Sequence, residues 1–322
     1  MTVWGGSVWG VLGLMALTAC TPALSPQPEP VPPTPPQARV ETPTPITPII
    51  AQPIPQDDTL RIYYKRLEND LVNRGLLRTD GGGPDTPFTD TQLTRNFVRI
   101  ALFDEYISDA NGLRASPTES KLRRWEQPVR MSVQFGASTS AEQRVKDKAN
   151  VTAFAQRLSR ISGLPISQTD NDPNYFVLFL SENDRLGSEA RLRQIVPGIA
   201  QSSLRAILAL PRDQLCIVVA FSEPGRSEYT KAVAVIRDEH PDLMRKSCIH
   251  EELAQGLGLA NDSPAARPSI FNDDEEFGLL TTHDELLLKM LYDKRLSSGM
   301  DAAQAAPIAK IIATELTGGG AS

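Results

Sequence analysis

Residues 248–273, CIHEELAQGLGLANDSPAARPSIFND, concentrate side chains that could do chemistry. Hydrolysis on a zinc-bearing helix needs two imidazoles one turn apart. It also needs a carboxylate beside the first, to take a proton from metal-bound water. His250 and Glu251 begin that pattern, but the position one turn on is Ala254. Shifting the register by one puts Glu251, Gln255 and Asn261 where ligands would stand and Glu252 where a general base would. Amide oxygens are poor zinc ligands. One carboxylate with two amides suits a hard cation such as calcium better, though weakly, and Asp262 offers a second carboxylate. Without a metal, Glu252 has no activated water to deprotonate and can only hydrogen-bond an extended peptide or cap the helix.

In this shifted register the stretch Glu251–Asn261 resembles the metzincin signature H-E-x-x-H-x-x-G-x-x-H, and is closest to matrixin-type sequences. The resemblance puts Glu252 on the general base and Gly258 on the glycine where the helix ends and the chain turns back. Leu253, Leu257 and Leu259 fall on packing positions, and Glu251, Gln255 and Asn261 fall on the metal ligands. Pro268-Ser269-Ile270-Phe271 stands where metzincins carry a Ser-Ile-Met turn, with Phe271 in place of methionine. Leu280–Asp284 and Leu291-Tyr292 resemble the C-terminal helix of that group, and the similarity spans roughly residues 88–295. The chain is also similar to a family of bacterial lipoproteins and exported proteins defined only as a domain of unknown function, through E-E-x-x-Q-x-L-G-L-x-N-D and the S-I-F-N-D that follows.

The remaining candidates carry less. His250 is expected to be a packed or solvated histidine, and His240 and His283 lie in stretches that suggest surface loops and helix ends. The acidic run Asn272–Glu276 reads as a solvated loop. No dinucleotide, P-loop or serine-elbow motif is present. A net charge of −6 speaks against nucleic acid as a partner.

The first 20 residues contain no charged side chain, and their apolar run, Val8–Ala19, is short for a membrane span. They end in Leu17-Thr18-Ala19-Cys20, which resembles a bacterial lipobox. That resemblance implies cleavage after residue 19 and a lipid on Cys20, so the chain would be anchored to a membrane rather than span it. Thr21, rather than Asp, after the cysteine points to the outer membrane. Of the 26 prolines, 13 fall between Pro22 and Pro55, so residues 20–56 read as an extended tether. With Cys20 assigned to lipid, Cys216 and Cys248 remain in an oxidising compartment. A disulfide between them is expected, against two separate buried thiols.

Periodicity supplies the scaffold. Helical spacing appears at 57–78 (Leu60, Tyr63, Tyr64, Leu67, Leu71), followed by a flexible Gly-rich joint to residue 84. Helices are expected from Thr89, capped with Gln92, and from Ser140 to Gly163, with Val145, Phe154, Leu158 and Ile161 on one side. Others are expected at 188–209, from Pro241-Asp242, at Thr282–Leu291 and at 300–316. Strands are expected at Val129–Phe135, Tyr175–Leu180, Leu215–Phe221 and Tyr229–Ile236. The fold expected is α/β (α+β): a metzincin-like mixed sheet with a long active-site-type helix and a C-terminal helix, over residues 85–300, with an Ala/Gly-rich tail at 301–322. The function expected is a lipid-anchored envelope protein facing the periplasm. Its degenerate, non-catalytic peptidase-like domain would bind a peptide or envelope-protein partner and use no cofactor. The alternative is an active metal-dependent peptidase with non-histidine ligands and Glu252 as base.

Overall fold

Alternating burial builds the centre of the molecule. In the computed structural model, which describes residues 58–109, 112–272 and 274–318, Tyr175–Leu180 is buried at all six positions. Its odd-numbered residues, Tyr175, Val177 and Phe179, enter one apolar core, and Phe176, Leu178 and Leu180 enter another. A strand sends successive side chains to opposite faces, so a continuous apolar run belongs to a strand covered on both sides. The expected signal peptide, Cys20 and the tether lie outside the described residues. No helix among those described is long and apolar enough to cross a membrane.

In chain order the elements are α1 (Asp58–Asn73), α2 (Asp90–Ala101), β1 (Phe103–Asp109), β2 (Gly112–Glu119), β3 (Val129–Phe135), α3 (Ala141–Ser162), β4 (Ile166–Gln168) and β5 (Tyr175–Leu180). There follow α4 (Glu182–Leu186), α5 (Glu189–Ile195), α6 (Gln201–Leu208), β6 (Cys216–Ser222), β7 (Tyr229–Arg237), α7 (Asp242–Gln255), α8 (Thr282–Leu291) and α9 (Ala302–Leu316). The sheet runs β4-β3-β5-β7-β6, parallel except for β6, which pairs antiparallel with β7 at one edge. β1 and β2 form a separate hairpin. The larger core lies between the sheet and α2, α3, α7, α8 and α9, and the smaller one lies between the sheet and α5–α6.

Several elements differ from the periodicity. The segment 188–209 is two helices, α5 and α6, because Pro197-Gly198 intervenes and Gly198 takes φ 79°. The buried side of α3 comprises Asp147, Val151, Phe154, Ala155 and Leu158, while Val145 is 73 % exposed. A buried aspartate sets that face: Asp147 accepts from Arg245 of α7 and from Gln143. α1 stops at Asn73, and Tyr63 on it faces out. The segment after α1 is pinned rather than loose. Leu77 and Arg78 donate backbone bonds to Glu275 and Glu276, and Thr282 N–H donates to Gly81. The stretch from 301 forms α9, whose Ala305, Ala309, Ile312 and Ala313 join the larger core. The hairpin, β4 and α4 have no counterpart in the periodicity.

Candidate functional site

α7 is apolar or buried on nearly every side, so it is an interior helix rather than an amphipathic surface one. Its last turns run along β6 and β7. The Cys216–Cys248 disulfide fastens it to β6. Closing a loop of this length contributes about 3–4 kcal/mol on the chain-entropy model.

The C-terminal end of α7 leaves carbonyls without intrahelical donors, and buried carbonyls must find partners. Aromatic side chains supply two of them and reinforce a third: Trp125 Nε1 donates to Gly256 O (2.8 Å) and Tyr292 Oη to Leu257 O (2.9 Å), while Tyr175 Oη donates to Glu252 O (2.8 Å), which also accepts from Gly256 N–H (2.9 Å). Gly256 is required because a Cβ there would enter the Tyr175 hydroxyl. Gly258 is required twice: its φ is 130°, and a Cβ would strike the Arg123 carbonyl. The chain then turns back to α2, where Asn261 N–H meets Ile100 O (3.1 Å) and Asn261 Nδ2 donates to Arg99 O (2.8 Å).

Beneath the site lies the segment Pro268–Phe271. Asp284 organises it: Oδ1 accepts from Ser269 Oγ (2.5 Å), and Oδ2 accepts from the N–H of Ile270 and Thr281 (3.0 Å each). Phe271 is fully buried in the larger core. Here Ser269, Ile270, Phe271 and Asp284 are structural.

Between β6 and α7 lies a cleft of about 420 Å³. Cys216–Ala220 of β6 form one wall, and Glu251, Glu252 and Gln255 of α7 form the other. Asp262, Arg123, Asp104 and Tyr229 also line it, and Arg123 pairs with Asp104. Burial raises the Tyr229 hydroxyl above its ordinary pKa, with the nearby Arg123 guanidinium pulling the other way. Tyr175 is raised further, first by burial and then by the Glu252 carboxylate. Both phenols therefore stay protonated at neutral pH; Tyr175 donates to Glu252 O, and Tyr229 accepts from Arg123.

The predicted ligand positions divide. Glu251, Gln255 and Asp262 share the cleft, and Gln255 Nε2 donates to Asp262 Oδ1 (3.2 Å). Asn261, only 1 % exposed, commits its amide to α2 and does not line the cleft. Glu251, Gln255 and Asn261 therefore do not fit a zinc ion as a three-ligand set. His250 points away from the cleft. Its ring stacks on Phe154 (3.9 Å between centroids), Nδ1 accepts from Leu280 N–H (3.1 Å), and burial lowers its pKa to about 3, so it is a neutral core residue.

The expectation that His240 and His283 lie at the surface does not hold. His240 is 3 % exposed, with Nδ1 3.7 Å from Cys248 Sγ. His283 is fully buried in the first turn of α8, with Nε2 3.1 Å from Asn96 Nδ2. Both adjoin segments that read as loops in one dimension and are covered by α1 and α2 in three. In the acidic run, Glu276 pairs with Arg78 and Arg267, and Asp273 lies outside the described residues. Arg123, Asp104 and Tyr229 line the cleft and Tyr175 and Trp125 support the end of α7 from the core, and none of the five carries a local motif. Only the joint placement of four segments brings them together.

No curated protein and no solved structure matches this chain. The model of one family, described as "Protein of unknown function (DUF2927)", matches residues 90–311, which takes in the sheet, the cleft and the buried turn. The chain belongs to that family.

Proposed function

We propose that this protein is a lipid-anchored component of the bacterial cell envelope, held on Cys20 and facing the periplasm. Its degenerate metallopeptidase-like domain binds an extended peptide segment and does not hydrolyse it. One observation carries the peptide reading: β6 is the edge strand of the sheet, and the cleft runs along it, with α7 as the opposite wall. An edge strand presents backbone donors and acceptors that an extended chain can extend as a further strand, with adjoining pockets reading alternate side chains. Glu251, Glu252 and Asp262 make the cleft acidic, which favours basic side chains in the guest. The metzincin resemblance is supported by the helix–glycine-turn geometry and by the position of Ser269–Phe271 beneath it. The non-catalytic reading is supported by the amides at two ligand positions and by the commitment of Asn261 to α2. A disulfide in the fold suits an oxidising compartment such as the periplasm.

The test is fluorescence polarisation of the full chain in detergent against a library of extended, Lys/Arg-containing peptides. Val218 and Ala220 project from β6 toward the α7 side. Val218→Trp and Ala220→Trp should each abolish binding while leaving the circular dichroism unchanged, and the captured peptides should remain intact. Equal binding by the tryptophan variants removes the cleft as the site, and cleaved peptide removes the non-catalytic reading.

A further inference from the structure

The disulfide does more than fasten two elements. Cys248 lies three and four residues before Glu251 and Glu252, a spacing that places all three on neighbouring positions of one helix face. By joining Cys248, Cys216 is brought to the same face. The result is a convergence of Cys216 Sγ with one carboxylate oxygen each of Glu251 and Glu252, all within 4.8 Å of one another. Cys216 Sγ lies 4.0 Å from Glu251 Oε2. One turn beyond Glu251, Gln255 is 8 % exposed and lines the same cleft. Its amide nitrogen is engaged by Asp262, and its amide oxygen accepts no hydrogen bond among the described residues.

In the disulfide the Cys216 sulfur carries no charge and is a poor ligand. As a thiolate it is among the strongest zinc ligands that proteins offer. With zinc–sulfur and zinc–oxygen bonds of about 2.3 and 2.1 Å, a tetrahedral site needs donor atoms about 3.5 Å apart. The observed separations run up to 4.8 Å, about 1 Å wider, a gap that rotation of the Cys216 side chain, once the bond to Cys248 is broken, and of the two carboxylates can close.

We propose that reduction of the Cys216–Cys248 disulfide converts this corner of the cleft into a zinc site. Its ligands are the Cys216 thiolate, Glu251 and Glu252, and its fourth position faces the cleft. The reductant is a dithiol. It gives two electrons and two protons to the sulfur–sulfur bond and is itself oxidised to a disulfide. Zinc then displaces the proton of the Cys216 thiol, which passes to water, while the Cys248 thiol stays beside His240. The oxidised protein keeps a metal-free cleft, and the reduced protein holds a cation with an open position. The proposal does not rest on peptide capture, which is measured separately on the oxidised protein.

The test uses the full chain in detergent and cobalt(II) as a spectroscopic probe for zinc. Four forms are compared: oxidised wild type, wild type reduced with a phosphine and desalted, Cys248→Ser, which leaves Cys216 a free thiol without any reductant, and Cys216→Ser. The reduced wild type and Cys248→Ser should bind one equivalent of cobalt, with a thiolate-to-cobalt charge-transfer band in the near ultraviolet. Their affinity should exceed that of the oxidised protein by tenfold or more, a soft anionic ligand having been added to a hard pair. Zinc should bleach the band. Cys216→Ser should lack it, and because Cys20 remains in that variant the control also covers Cys20. Glu251→Gln and Glu252→Gln, each combined with Cys248→Ser, should weaken binding and keep a residual band. If Cys248→Ser fails to fold, the reduced wild type decides. Absence of the band in the folded, reduced protein, or its persistence in Cys216→Ser, overturns the proposal.

Discussion

The two ends of α7 handle buried charge in opposite ways. At its start, Arg245 is 3 % exposed and lies between two aspartates. It donates to Asp147 Oδ2 (3.1 Å) and to the Asp238 backbone (2.6 Å), and sits 3.5 Å from Asp238 Oδ1. Arg61 of α1 closes the network on Asp238 from the other side (2.6 Å). At its end, Glu251 and Glu252 stand on the wall of a cleft among other carboxylates. Both ends bring charges onto one interior helix. The first ties α1, α3, α7 and the end of β7 together with mutual ion pairs. The second places its charge where a ligand can reach it. Sequence composition does not separate these uses, because the number of charges in the two stretches is similar. What separates them is place: the first set is sealed in the interior between packed elements, and the second lines a cleft.

Stability resides chiefly at the locked start of α7. Arg245→Ala should cost about 3–5 kcal/mol, because it leaves Asp147 buried without its cation and Asp238 with Arg61 alone. Urea denaturation measures it, and a loss below about 1 kcal/mol would mean that the start of α7 is not the locked end. The turn beyond the cleft should be less costly. Gly258→Ala places a methyl group against the Arg123 carbonyl in a backbone conformation that alanine avoids, so a loss of about 1–3 kcal/mol is expected. The altered turn should also shift Asn261 away from α2, which would appear as faster amide exchange at Asn261.

The third effect is spread over a pH range and concerns a histidine that faces neither end. His250 has its folded pKa depressed to about 3 by burial, against an ordinary 6.5. The unfolded chain therefore binds the extra proton first as pH falls. The contribution of His250 to stability is complete above pH 6.5 and declines as pH falls from there toward 3, by up to about 1.4 kcal/mol per unit. His250→Asn, which keeps an acceptor for Leu280 N–H, should reduce the loss of urea midpoint between pH 7 and pH 4.5. An unchanged loss would assign the acid sensitivity elsewhere. His240, whose pKa burial depresses well below the ordinary value, contributes with the same sign.

Much of the scaffold was legible in one dimension because its signals are local. Thr89 with Gln92 forms the expected capping box, Ser140 and Gly163 bound α3, and the alternation at Val129–Phe135 is a strand. Where local signals compete, the reading failed. The apolar spacing across 188–209 hid the break at Pro197-Gly198, and Val145 fitted a helical stripe that burial of Asp147 rotates out of the core. The site was half legible. Glu251, Glu252, Gln255, Gly258, the Ser269–Phe271 turn and Tyr292 stood out by spacing, whereas Arg123, Tyr229 and the other two aromatic donors to the end of α7, Trp125 and Tyr175, did not.

By itself the sequence determined which side chains meet along one helix, since 3.6 residues per turn places positions three and four apart on one face. It also determined where the chain must turn, since only glycine tolerates the backbone at Gly258. Tertiary structure alone decided what faces those side chains. It put β6 across from α7, turned Asn261 to α2 and His250 to Phe154, and brought the Cys216 sulfur to the carboxylates. The physical reason is range. Propensity and capping act over a few residues, whereas a cleft is made by segments more than a hundred residues apart that only packing of a common core can bring together.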